Sequence, residues 1–441
     1  MNCFHLSTIA FTIAMTATTA GFAQTKISFW HSMSGNLGKQ TEKLISDFNA
    51  SQSDYKIVPS FRGTYEEGIV SLIAAFRGKQ QPVLAQIYEI GTGTMMAAKG
   101  AVYPIYQLMN DTNQDFSSTD YLPAISNYYS DSEGRMLSMP FNASTPILYY
   151  NKDIFKKAGL DPEQPPKTWQ DIENISKKII DSKAASCGFT MAYASQWIGL
   201  ENFSALHNVP FGTKENGFGG LDSELVFNGS LQVRMWTDLK KWSDQGIFRY
   251  GGPAGALDST PMFMAQDCAI FMQSSGSLTG IVSEAKFEVG FGMLPYYADE
   301  KGAPQNSIIG GASIWALRGH TPKEYAGAAA FLKFLSQPEN QAKWHQTTGY
   351  LPITKAAYEL SKEQHFYDKN LGADIAIKQI NLNSPTVYSK GIRFGTLPQI
   401  RSILDQELEA VLNGSKTPQD GLDATVKRGN KLLREFEKAN Q

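Results

Sequence analysis

Residues 26–30, Lys-Ile-Ser-Phe-Trp, alternate polar and apolar side chains, the period-two signature of a strand with one buried face. Downstream, Leu37, Leu44, Ile45 and Phe48 fall on one helical face. Tyr55-Lys-Ile-Val-Pro-Ser-Phe61 reads as a second strand, and Ile69, Leu72, Ile73 and Phe76 follow at helical spacing. Val83-Leu-Ala-Gln-Ile-Tyr88 is a third strand, ahead of Met95, Met96 and Ala97. A β-α-β-α-β order predicts a parallel sheet with helices on its faces, an α/β fold. Ligands of such sheets bind beyond the carboxyl ends of the strands, here Trp30-His31-Ser32, Phe61-Arg62-Gly63 and Tyr88-Glu89-Ile90.

Upstream of that first strand, residues 1–23 carry no Asp, Glu, Lys or Arg and end in Gly21-Phe22-Ala23. An apolar stretch closed by small residues predicts a secretory signal peptide cleaved after Ala23, although a basic start is missing. Its Thr content argues against a membrane-spanning anchor. The expected mature protein is exported, with Cys187 and Cys268 in an oxidising compartment. Each precedes an apolar run, and both a disulfide and two buried thiols fit that placement.

Further along, Thr168 precedes Trp169-Gln170-Asp171-Ile172 as a helix N-cap. The last quarter shows helical patterns over 325–335, 338–347, 398–412 and 417–439. The chain of 441 residues, 42% hydrophobic and 12% aromatic, is long enough for two large α/β units and too apolar for disorder. Its 40 basic against 42 acidic residues give a net charge of −2, which argues against nucleic acid or an anionic membrane surface as partner.

Motifs for catalysis are missing. Gly35-Asn-Leu-Gly38-Lys39 lacks the spacing of a phosphate-binding loop, and Gly276-Ser277-Leu278-Thr279-Gly280 is not a nucleophile elbow. The six histidines are scattered without metal-ligand spacing. Glu66-Glu67 reads as helix-dipole support. The expectation is a protein that is not an enzyme, with no catalytic residues, no metal and no cofactor; a missing motif is weak evidence, so an enzyme stays open as an alternative.

Several segments together resemble the substrate-binding proteins of ABC importers, in the maltose-binding-like group. They are Leu148-Tyr-Tyr-Asn-Lys-Asp153, Pro165 to Asp171, Ile309-Gly-Gly-Ala-Ser313, and Ser336 to Asn340 running on to Gly349-Tyr-Leu-Pro-Ile-Thr354. Others narrow the likeness to members that bind glycerol 3-phosphate: Phe29-Trp-His-Ser-Met33, Gln86 to Gly91, Phe141-Asn-Ala-Ser-Thr-Pro146, Ser274 to Leu278 and Pro398-Gln-Ile-Arg401. The resemblance implies a two-lobe periplasmic-binding-protein fold of type II with a hinge. One lobe would comprise residues 24–141 and 309–354, the other 142–308 and 355–441, with the ligand cleft between them. It implies a monomeric periplasmic protein that captures sn-glycerol 3-phosphate or a glycerophosphodiester such as glycerophosphocholine. The cargo would pass to membrane permease subunits driven by a cytoplasmic ATPase. A maltose-like oligosaccharide binder of the same fold is the alternative, and a secreted phosphodiesterase the third.

The resemblance also places the ligand on Tyr65, Glu89, Ser144, Ser274, Gly311, Tyr350 and Arg401, with Trp169 closing the cleft. A guanidinium fork suits phosphate, and Arg401→Ala is expected to weaken phosphate-bearing ligands with the fold intact. By its position beside the helix's apolar arc, Arg401 reads from the sequence alone as a side chain laid along the core, and the resemblance reverses that reading. Gly311 offers a backbone approach or a simple turn, and Ser144, Ser274 and Tyr350 offer hydroxyl donors. Glu89 would face the glycerol hydroxyls, because a carboxylate repels phosphate, and Tyr65 would join it there. Trp169 reads equally as a core residue at a helix start. Leu206-His207-Asn208 departs from the pattern of the group and would alter the room for larger diesters if it borders the cleft.

Overall fold

The computed structural model describes residues 24–98, 100–252 and 256–441; the leader expected over residues 1–23 lies outside them. The strands in chain order are β1 (Thr25–His31), β2 (Tyr55–Phe61), β3 (Leu84–Tyr88), β4 (Val102–Tyr103) and β5 (Met139–Ser144). They continue as β6 (Pro146–Asn151), β7 (Cys187–Met191), β8 (Phe248–Tyr250), β9 (Cys268–Ser274), β10 (Val289–Gly292) and β11 (Gly310–Leu317). Two sheets result, with helices packed on both.

In the first sheet the strands run β2-β1-β3-β11-β4, with β5 also paired to β11. The alternation at 26–30 buries Ile27 and Phe29 on the face away from solvent. β1 pairs in parallel with both β2 and β3. The expected parallel sheet stops there: β11 is antiparallel to β3, β4 and β5. The chain enters β11 from the second sheet, so its direction follows from the crossing rather than from a β-α-β step. The Gly35–Ser51 helix buries Leu44, Ile45 and Phe48 as its spacing requires. The Tyr65–Arg77 helix, opened by a Thr64/Glu67 capping box, buries Ile69 and Leu72 but leaves Ile73 and Phe76 partly in solvent.

The second sheet runs β10-β6-β9-β7-β8. β6 is buried along its whole length, as a central strand covered on both faces must be. A Thr168/Asp171 capping box starts the Trp169–Asp181 helix, which lies over β7. The last two long helices, Leu397–Leu412 and Pro418–Asn440, pack against one another.

Only Thr145 separates β5 from β6, so the chain changes sheets in a single residue. Thr145 is fully buried, and its Oγ1 meets Ser307 Oγ at 2.7 Å and the Ile308 carbonyl at 2.9 Å. Two crossing segments are thus tied to each other where the sheets meet.

Cys187 and Cys268 face each other across the parallel β7/β9 pair and form a disulfide, which settles the two readings left open by their positions. They are 81 residues apart in the chain. Cys187→Ser with Cys268→Ser is expected to lower unfolding free energy by roughly 4 kcal/mol, the loop-closure value for such a separation. Urea denaturation of oxidised protein against the double variant measures it, and equal midpoints would contradict it.

Candidate ligand site

A cavity of about 330 Å³ lies between the sheets, at the low end of the range for small-molecule sites. Tyr65, Glu89, Ser144, Ser274, Gly311, Tyr350 and Arg401 all line it. They reach it from separate elements, most of them at strand or helix ends. Glu89 follows β3, Ser144 ends β5, Ser274 ends β9 and Gly311 is the second residue of β11. Tyr65 is the first residue of its helix, and Arg401 lies in the second turn of the Leu397–Leu412 helix. Tyr350 follows Gly349, whose φ of +90° ends the preceding helix.

Gly311 has a φ of +95°, and a Cβ there would lie 1.8 Å from the Asn142 carbonyl oxygen. No other residue fits, so its backbone borders the cavity without a side chain. Tyr350 packs its ring over Gly276 and stacks with Trp344 at 5.9 Å between ring centres. Ser274 Oγ accepts from the Gly276 amide at 3.1 Å, which leaves the hydroxyl proton free to point elsewhere.

Arg401 is not an open fork. Its Nε donates to Glu201 Oε1 at 2.8 Å and its Nη2 to Glu201 Oε2 at 2.7 Å, a bidentate pair. Nη2 also donates to Glu89 Oε1 at 2.9 Å. Among the described residues Nη1 alone has no hydrogen-bond partner. Glu89, expected to face the glycerol end of a ligand, thus shares one end of the cavity with Arg401, held to it by charge. Burial pushes the Glu89 carboxyl up to about 7; Arg401 pulls it down, while Glu201 pushes it further up. Burial opposes the Arg401 charge, but Glu201 and Glu89 outweigh it and hold the guanidinium well above its usual range.

Trp169 does not border the cavity. It is buried in the second sheet's core, stacked on Trp242 at 5.6 Å and packed against Phe189 and Tyr297. As the first residue of its helix it points onto the sheet that the helix covers. The cavity's tryptophan is Trp197, on a single π-helical turn, Trp197–Asn202, whose ring covers Gly310. Such turns recur at functional sites. The Leu206-His207 departure is also away from the cavity. His207 is buried, with Nδ1 bonded to the Phe203 carbonyl and Nε2 accepting the Tyr297 amide.

Sequence reasoning missed Glu201, although Trp197 and Glu201 sit four residues apart and so share a helical face. Tyr88, legible only as part of a strand's carboxyl end, stacks on Tyr65 with ring centres 5.3 Å apart. The Tyr88 hydroxyl and the Trp197 indole N–H are buried without partners among the described residues, two donors at the cavity wall. Asp405 also lines the cavity, accepting from Ser195 Oγ and from Gln196 Nε2.

Known proteins place this arrangement. The profile of the bacterial extracellular solute-binding proteins matches residues 43–371. The chain is 50% identical over 441 residues to an sn-glycerol-3-phosphate-binding periplasmic protein UgpB of Yersinia pseudotuberculosis, covering 100% of this chain and 99% of that one. It is 52% identical over 420 residues to the protein of that name from an Escherichia coli strain, covering 95% of each. Among solved structures, UgpB from Mycobacterium tuberculosis in complex with glycerophosphocholine superposes with a TM-score of 0.78 at 22% identity, over 93% of this chain and 99% of that one. Maltose-bound MalE3 of T. maritima superposes with a TM-score of 0.73 at 15% identity, over 93% and 100%. The fold is that of the two-lobe, maltose-binding-like proteins, and the chain belongs to the bacterial extracellular solute-binding protein family.

Proposed function

We propose that this protein is the periplasmic substrate-binding component of an ABC importer, capturing sn-glycerol 3-phosphate and glycerophosphodiesters such as glycerophosphocholine. Half-identity along the whole length of relatives named for glycerol 3-phosphate carries the reading. The chemistry of the cavity supports it. One fixed guanidinium offers Nη1, and Tyr65, Tyr350, Ser144 and Ser274 offer neutral hydroxyl donors, a set suited to a single phosphate group. In this reading residues 24–141 with 309–354 move against 142–308 with 355–441 about the crossings at Thr145 and Ile308. Ligand contacts made from both sides shift the balance toward the closed form. The permease and its cytoplasmic ATPase then receive the closed form. Binding is the whole activity, with no chemical step.

Calorimetric titration of residues 24–441, unfolded and refolded to strip carried-over ligand, tests this. Saturable one-to-one binding of glycerol 3-phosphate or glycerophosphocholine, with none of maltose, is the expected result. Maltose binding in their place would overturn the phosphate assignment. Catalytic release of glycerol 3-phosphate from the diester would overturn the binding-only reading.

A further inference from the structure

Tyr65 is reached by a chain of hydrogen bonds whose directions are not interchangeable. The backbone N–H of Ser32, just past β1, donates to Gln86 Oε1 at 2.8 Å. A backbone amide can only donate, so this bond fixes which end of the Gln86 amide is oxygen. Gln86 Nε2 then donates to Asn142 Oδ1 at 2.8 Å and to Met33 Sδ at 3.1 Å. Asn142 is left with its Nδ2 to donate to the Tyr65 hydroxyl oxygen at 2.9 Å. Gln86 is 5% exposed and Asn142 0%, which keeps bulk water from competing for either amide.

We infer, resting on the proposed function, that Gln86 and Asn142 are positioning residues that set ligand specificity. By filling the acceptor side of the Tyr65 oxygen they commit its proton to the cavity, which then favours a proton-free oxyanion over a hydroxyl at that point. Burial holds the Tyr65 phenol well above its ordinary range, so the proton is present to be offered. Tyr65 is thereby oriented by an amide chain that begins at a backbone N–H outside the cavity. Gln86 itself does not line the cavity, so its effect on a ligand has to travel through Asn142.

The test reverses the chain at its remote end. In Gln86→Glu, one carboxylate oxygen keeps the Ser32 amide and the other demands a donor. Asn142 must then turn its amide round and present Oδ1 to Tyr65, which draws the phenol proton away from the ligand. Glycerol 3-phosphate and glycerophosphocholine are each expected to bind on the order of tenfold or more weakly, the scale of a lost hydrogen bond to a charged group. In a Tyr65→Phe background the same substitution should add little, because no phenol proton remains to be redirected. Gln86→Met keeps the side-chain length beside Met33, adds no charge and frees the Asn142 amide; an intermediate loss is expected. It also carries the test if Gln86→Glu fails to fold, which circular dichroism reports. Penalties of Gln86→Glu that persist in full beside Tyr65→Phe would show plain charge repulsion and overturn the chain's role. So would wild-type affinity in both Gln86 variants. A wild type that binds neither compound overturns the functional reading, and this inference with it, whereas a wild type that binds with purely additive penalties overturns this inference alone.

Discussion

Arg401→Ala is expected to destabilise the protein by about 3–5 kcal/mol at pH 8, in addition to removing ligand binding. The sequence-based expectation of an intact fold holds only if Arg401 is a ligand group and nothing more. Among the described residues Arg401 is the sole counter-ion of Glu201, which is 1% exposed, and a partner of Glu89, which is 6% exposed. Truncation leaves two buried carboxylates a few ångströms apart with no cation, a far larger penalty than the loss of one hydrogen bond. The sign of the pH dependence follows. Without Arg401 the burial of Glu89 goes uncompensated and holds its carboxyl further above its unfolded value, so stability is regained as pH falls and it protonates. Urea unfolding at pH 8 and pH 5 should show the deficit shrinking at the lower pH. Arg401→Met combined with Glu201→Leu and Glu89→Gln removes the cation and both carboxylates together and should recover most of the stability while still failing to bind phosphate-bearing ligands. Wild-type stability in Arg401→Ala at pH 8 would contradict the buried triad.

What the sequence shows depends on how local the cause is. The strand at 26–30 is legible from its period-two alternation and those at 55–61 and 83–88 as short runs rich in strand formers, all signals confined to a few neighbouring residues. The helices at 338–348 and 397–412 are legible for the same reason at period 3.6. The antiparallel β11 is not, since its partner β3 lies more than 200 residues earlier and its direction is set by the crossing. Arg401 and Glu201 are likewise 200 positions apart, and no pattern around either announces the other. The cavity residues entered through resemblance, with periodicity leaving Arg401 ambiguous between core and ligand. Trp169 shows the limit of that route. A tryptophan at a helix start satisfies the core as well as a cleft would, and here Trp242, Phe189 and Tyr297 claim it.

Affinity for glycerophosphocholine is expected to fall as pH rises through about 7, by up to about tenfold per unit above it. Glu89 is the cause. Burial has raised its carboxyl to about 7, so near neutrality it is partly protonated while Arg401 stays charged. A phosphate arriving at Arg401 Nη1 brings negative charge close to Glu89 and raises that carboxyl further, so binding at pH 7 and above takes up a proton. A diester isolates this effect, because its phosphate has no second proton to lose near pH 6, whereas glycerol 3-phosphate does. The same raised carboxyl has a signature without ligand. Its stabilising contribution is fully present below the unfolded value near 4.5 and is lost as pH rises through 7. Calorimetry at pH 7.5 in two buffers of different ionisation enthalpy counts the protons directly. Wild type should show an uptake, and Glu89→Gln, which keeps a hydrogen bond to Arg401 but cannot ionise, should show none and a flat affinity from pH 6 to 8. Identical heats in the two buffers for wild type would mean that Glu89 does not change its protonation on binding. In that case the phosphate must approach Arg401 beside a charged carboxylate, with the neutral hydroxyls of Tyr65, Tyr350, Ser144 and Ser274 supplying the compensation.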